Sequence, residues 1–460
     1  MVSLGEMYRR VFNGPLVTQK EFFSIDNYLK RLQELAKEYG ISRNPNDYVP
    51  TDPGLADSLF KAGMALLEEK GMWCMDTSRV IKFTRDEIKE GLEKLPTEIT
   101  FGEGTEKRTV KHRNTGDKRQ PTKLIGGWGA GMTSPELFLK AHQSVAQEDI
   151  DFLQDGVLTQ IGGERVRLGT PEEYKAATMG ARLLREAVRR AGKPGMGINF
   201  DCQAMTEYAH SAILNPGGAR PTDWWTLWPS YPPATVRMVS LNRAAVSLEY
   251  SNPLFTYTTG SLYQFAGGPE TSAIHMVADT IGLAMLDNVW ELTMGGASAP
   301  FRITDINEAY ASAWTSAIAQ LAIFRNNKGI TAGGGAWGNA GLCTEMQFYE
   351  GAVGRILSEP MTALLTGTGA HGTTDDYIDG LVPRWCIEIG NEICGISLTD
   401  ANDMVKTLNK SNKIKIGKEP DGKKFQEAYN LEALQPIKEY LDLYKKVTKE
   451  VKDLLGIKYK

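Results

Sequence analysis

The amino-acid sequence predicts an α/β fold, a TIM-type (β/α)8 barrel with N- and C-terminal helical extensions, on three observations. The central part of the chain repeats one plan: a short apolar run, a Gly-rich or polar turn, then an Ala-rich amphipathic segment. Eight such runs alternate with helical patterns, which favours a closed barrel over a doubly wound open sheet. The composition also changes along the chain. Charged helical patterns occupy residues 1–120 and 397–460, while most glycines and tryptophans fall between 121 and 396. The expected organisation is therefore an N-terminal helical extension, a barrel and a C-terminal helical extension with those boundaries.

In the first part, "DSLFKAGMALLEEKGMWC" has apolar residues at helical spacing. "TRDEIKEGLEKLP" opens on a Thr cap, carries acids in its first turn and stops before Pro96, and "KLPTEITFGEG" then reads as a short strand. The expected barrel strands are "KLIGGWG" (123–129), "DFLQDGVLT" (151–159), "GMGINF" (195–200), "AAVSLEY" (244–250), "LFTYTTG" (254–260), "PFRIT" (300–304), "GITAGGG" (329–335) and "MTALLTGTG" (361–369). Two clear helices lie among them. "PETSAIHMVADTIGLAML" starts with Pro269 and repeats Ala273, Val277, Ile281 and Met285 at intervals of four, and "NEAYASAWTSAIAQLAIF" starts with Asn307 as cap.

With 460 residues, 42% hydrophobic, 23% charged and a net charge of −4, the chain reads as an ordinary globular protein with no basic patch for nucleic acid. No apolar run is long enough for a membrane span and the start lacks a signal-peptide core, so a cytoplasmic location is expected. Five cysteines without CxxC pairs fit reduced thiols, and Cys386 and Cys394 in "CIEIGNEIC" fit helix packing. There is no GxGxxG at a strand–helix turn and no GxxxxGK[ST]. The five histidines form no HxH or HxxxH pair; His275 fits a satisfied helix histidine.

Two stretches stand out. "GKPGMGINFDCQAM" (192–205) ends a short strand on Asn199, Phe200, Asp201 and Cys202. "TDWWTLWPSYPP" (222–233) gathers Trp224, Trp225, Trp228 and a tyrosine in a Pro-rich loop; it fits a hydrophobic plug or seam, a lid stacking on an aromatic substrate, or a cage for a quaternary ammonium. Asp201, Cys202, His210 and Cys343 offer zinc ligands in principle, but they have no spacing signature and zinc is not expected.

The segments "YVPTDPGLADSLFKAGMALLEEKGMWCMDTSRVIKFTRDEI", "GKPGMGI", "FAGGPET", "GLCTEM" and "GKKFQEAYN" resemble, in order, motifs of the monomethylamine:corrinoid methyltransferase family. The resemblance runs nearly end to end. It implies a TIM-type barrel that receives the cobalamin of a small corrinoid protein over its mouth, with no tightly bound cofactor of its own, and a methyl transfer from a small substrate to Co(I). It also implies that Gly335, Trp337, Cys343 and Glu345 lie at the mouth and corrinoid-docking side. In the methylamine enzymes the residue after the PGMG-V/I strand is pyrrolysine, attended by a glutamate and a glutamine. Here that residue is Asn199, and the two partners fall near Tyr257 and Gly335.

The departure directs the expected substrate. Co(I) attacks methyl carbon, and the group left behind must depart with the bonding electrons. A phenol does so as phenolate, with a conjugate-acid pKa of ~10, helped by one hydrogen-bond donor. The expected reaction is O-demethylation of a methoxylated aromatic compound, with a quaternary or other methylated amine as the alternative donor. Tyr257, Asn199, Asp201 and Glu249 are the expected catalytic residues, and Phe200, Trp224, Trp225, Trp228, Tyr250 and Glu270 the expected substrate contacts. Proximity in a dry cavity supplies most of the catalysis. Ala-, Met- and Trp-rich segments suggest a homo-oligomer.

Overall fold

The computed structural model describes residues 2–127, 130–200, 206–227, 234–258, 267–285, 289–294, 306–334, 339–366 and 375–457, with backbone alone at 226–227, 256–258, 289–294, 306–310, 331–334 and 365–366. Eight parallel strands pair in chain order into a closed barrel. They are β1 (Thr122–Gly126), β2 (Phe152–Gln154), β3 (Gly197–Phe200), β4 (Trp224–Leu227), β5 (Leu254–Thr258), β6 (Val289–Met294), β7 (Ile330–Gly334) and β8 (Leu364–Thr366). β8 closes the ring on β1, with Leu364 opposite Thr122 and Thr366 opposite Leu124.

The longer helices before the barrel are α1 (Leu4–Asn13), α2 (Lys30–Glu38), α3 (Pro53–Lys70) and α4 (Arg85–Glu93). α4 has the expected Thr84 cap as a full capping box with Glu87. α3 begins at Pro53 behind the Asp52 cap and ends at Gly71, whose φ of 71° and close approach to Ile81 O, 2.2 Å from where a Cβ would stand, leave no room for a side chain. An antiparallel hairpin, Glu98–Phe101 with Arg108–Lys111, leads into β1.

Each strand is followed by a helix: α5 (Pro135–Ala146), α6 (Pro171–Arg190), α7 (Glu207–Ala212), α8 (Met238–Glu249), α9 (Pro269–Ala284), α10 (Ile306–Asn326), α11 (Glu345–Ser358) and α12 (Leu381–Ile393). α13 (Leu398–Lys410) and α14 (Lys438–Leu455) follow. The flanking helices share one apolar core with the barrel helices, from Val2 to Val451. At Gly63 on α3 a Cβ would stand 2.4 Å from Val277 Cγ1 of α9, so these two helices touch backbone to side chain.

Six of the eight expected strands form. "AAVSLEY" instead lies mostly in α8, where Leu241 and Ala244 are buried at helical spacing. "PFRIT" lies outside the described residues, and the strand in that part of the ring is "VWELTM", β6. The remaining place in the ring is taken by "WWTL", β4, in the stretch read above as a loop. Asn307 lies inside the first turn of α10 rather than at its cap.

Candidate functional site

In a parallel barrel side chains alternate between the lumen and the helix layer, and chemistry sits at the carboxyl ends of the strands. The amino end of this lumen is filled. Leu124, Phe152, Trp224, Phe255, Ile330 and Leu364 form one buried cluster with Ile99, Phe101 and Val110 of the hairpin, which closes the barrel from below. Trp224 lies 4.2 Å from Phe101, 4.9 Å from Phe152 and 5.2 Å from Phe255, centroid to centroid. Gly197 fits this layer because a Cβ there would already meet Phe152 Cδ1 at 3.1 Å and Phe101 Cβ at 3.3 Å.

One step further along the strands the inner wall becomes polar. On β2 Phe152 faces inward and Leu153 belongs to the outer core, so Gln154 faces inward again; on β3 Ile198 is in the outer core and Asn199 faces inward. Gln154 and Asn199 are in register and both are buried. Asp155, a fully buried carboxylate, follows directly and its N–H donates to Asn199 O at 3.1 Å. The sequence reading named Asn199 but passed over Gln154 and Asp155. "FLQD" carries the same signal as "INF", a polar residue arriving at the carboxyl end of an apolar strand.

β3 is held in place from its amino end. Ile198 N donates to Asp223 Oδ1 at 2.8 Å, Arg220 N donates to Asp223 Oδ2 at 2.7 Å, and Arg185 pairs with the same buried carboxylate. Asn252 adds N–H bonds to Arg220 O and Asp223 O, tying in the approach to β5.

The other expected site residues divide. Phe200 is buried in the layer between barrel and helices, so it is a core residue and not a lumen wall. Trp224 is the sealed floor described above, and Trp225 faces outward with its ring edge against His210 at 3.7 Å; neither belongs to a lid. Glu249 and Tyr250 end α8, just before β5 begins, and therefore lie at the amino end of the barrel, opposite the expected chemistry; Tyr250 is 53% exposed. Tyr257 lies on β5 in register with Thr293, two residues beyond Phe255; its side chain is outside the described residues. Asp201, Cys202, Trp228, Gly335 and Trp337 also lie outside the described residues.

Glu270, in the first turn of α9, accepts the Arg43 N–H at 3.0 Å beside a surface cleft of about 470 Å3 shared with Gln33, Lys37 and Ser42. Cys343 adopts a left-handed φ of 63°, and burial pushes its thiol upward. Glu345 is paired with Lys413 and Lys446, whose ammonium groups hold its carboxyl below the usual range. Glu345 thus ties α11 to the C-terminal extension, which also reaches the preceding loop: Gly341 N donates to Pro420 O at 2.8 Å and Lys423 N to Leu342 O at 2.8 Å.

Two histidines adjoin the barrel. His210 accepts from Arg243 Nε at 3.0 Å, and burial together with that guanidinium keeps it neutral. His142 on α5 is pushed down to about 4 by burial. Its Nδ1 bonds Phe138 O at 2.7 Å, and Nε2 lies 3.1 Å from where a Cβ on Gly127 would stand. Among the described residues no group of three or more His, Cys, Asp or Glu is placed to hold a metal ion.

The family model described as monomethylamine methyltransferase MtmB matches residues 2–456. The chain belongs to the monomethylamine methyltransferase MtmB family. A Methanosarcina mazei member, monomethylamine methyltransferase MtmB, is 28% identical over 98% of this chain and 97% of its own length. MtmB1 of Methanosarcina acetivorans is 29% identical over the same shares of the two chains. The crystal structure of Methanosarcina barkeri MtmB superposes with a TM-score of 0.92 at 25% identity, covering 100% of this chain and 99% of the other. A crystal structure of an MtmB complex with hydroxylamine agrees equally well. Among the described residues of this MtmB-family chain no helix is long and apolar enough to cross a membrane.

Proposed function

We propose that this chain moves a methyl group from a small methylated amine to the Co(I) of a corrinoid carried by a partner protein. Membership of the MtmB family over nearly the whole chain is the observation that carries this reading. The corrinoid supplies the nucleophile: its electron pair forms the bond to methyl carbon while the carbon–nitrogen pair stays on a protonated or quaternary nitrogen, which departs as the neutral amine. The protein's part is placement. Because the Trp224 layer and the hairpin close the amino end, donor and cobalt must meet from the carboxyl side. There the buried Gln154 and Asn199 border the lumen floor and can orient a donor. Residues 1–120 and 397–460 act as helical extensions around a barrel spanning 121–396, in a cytoplasmic homo-oligomer.

One observation favours a second donor. The residue after "PGMGI" is Asn199, an amide that forms no covalent adduct with an amine. A methoxylated aromatic compound needs no such adduct, since its phenolate can leave with one hydrogen-bond donor. The burial of Phe200, Trp224 and Trp225 in the core takes three of the four residues expected to pack on an aromatic ring away from a donor, which favours the amine.

The test mixes the protein with a reduced corrinoid partner and separate donors: mono-, di- and trimethylamine, tetramethylammonium, a betaine and a methoxybenzoate. Conversion of Co(I) to methyl-Co(III) is followed by absorbance. Turnover of one or more amines alone supports the proposal, turnover of the ether alone moves the donor to methoxyaromatics, and no turnover of any donor ends the methyl-transfer reading.

A further inference from the structure

We infer that Gln154 is a donor-positioning residue whose side-chain amide, beside that of Asn199, seats the leaving heteroatom of the methyl donor. The inference rests on the methyl-transfer reading above. Gln154 stands at the boundary between two layers of the lumen. Below it Phe152, Trp224, Phe255 and Leu364 are at most 2% exposed and leave no path. On one side its strand neighbour in register is Asn199; on the other it is Gly126, which contributes no side chain. β1 and β2 approach so closely that a Cβ on Gly126 would stand 1.9 Å from Gln154 O, so no larger residue can take that place and screen the amide.

Two primary amides side by side directly above an aromatic floor are an unfavourable choice for packing alone, since an aliphatic pair would need no hydrogen bonds. They suit a site where the partner atom changes during reaction. A carboxamide accepts through its oxygen and donates through its nitrogen, so a rotation of its plane serves an amine N–H or a developing phenolate oxygen. With the leaving atom held on the floor, the methyl group points toward the carboxyl end, in line with an approaching cobalt.

The test uses Gln154→Leu and the near-isosteric Gln154→Glu in the full-length protein, with two readouts. One is kcat and KM for each donor of the panel with the reduced corrinoid partner. The other is calorimetric binding of the products, methylamine, ammonium and a hydroxybenzoate, without the partner. The expected results are a tenfold or greater loss of kcat/KM and of product affinity in Gln154→Leu. In Gln154→Glu the cationic product should bind several-fold tighter and the phenol more weakly. Should Gln154→Leu not fold, the opposite shifts of cationic and phenolic product affinity in Gln154→Glu decide alone. Product affinities within twofold of wild type in the folded variants overturn the inference. A wild type that turns over no donor defeats the functional reading, whereas the product-binding comparison still judges Gln154.

Discussion

At the amino end of the barrel Phe101, Phe152, Trp224 and Phe255 meet ring to ring, whereas two residues further along the same strands the described inner wall changes to Gln154 and Asn199. The first region has the composition of a domain core and is closed by a hairpin from outside the ring. The second buries hydrogen-bonding groups with no comparable apolar gain. The contrast separates a sealed apolar floor from a buried polar wall, although both sets carry large or polar side chains that look equally conspicuous in the sequence.

That contrast can be broken experimentally. Trp224→Ala should destabilise the fold by ~3–5 kcal/mol in urea unfolding, because it removes a fully buried indole and leaves a cavity. A lid role would instead raise KM and leave stability nearly untouched. Asp223→Ala should lower stability by ~3 kcal/mol or more, since it strands the Arg185 guanidinium in the interior and frees the start of β3. The third prediction concerns pH. His142 sits at about 4 in the fold against an ordinary 6.5, so the unfolded chain takes up a proton that the folded one refuses between those values. Stability should therefore fall as pH drops from 6.5 toward 4. His142→Asn should reduce that slope by up to one proton in denaturant midpoints measured across the interval. The smallest effect is at the surface. Glu345→Gln should change stability by at most ~1 kcal/mol, with the difference vanishing in high salt, because both lysine partners are partly solvated.

Most of the barrel was legible because its strands are short apolar runs ending in glycine or polar residues, as in "FLQ" and "ITAGG". The two misplaced strands show where that signal fails. "WWTL" is flanked by prolines and aromatics that imitate a loop, and only the burial of Trp224 between three phenylalanines reveals a strand. "VWELTM" interrupts its apolar run with Glu291, while "AAVSLE" contains enough small apolar residues to imitate a strand although its buried positions follow the helical period. Of the polar wall above the floor, the sequence singled out one residue, Asn199. Gln154 escaped because lumen facing depends on register with a neighbouring strand, which one chain segment does not contain. Glu249 and Tyr250 were attractive by type, yet α8 carries them to the far end.

The backbone contact between Gly341 and the 420–423 segment has a consequence for biosynthesis. A Cβ on Gly341 would stand 1.7 Å from Asp421 O, so the loop leaving β7 is moulded against a segment that follows it by several helices. During vectorial synthesis the loop emerges from the ribosome well before the segment that braces it. The nascent barrel must therefore wait with this part of its rim unsupported until translation has passed residue 423.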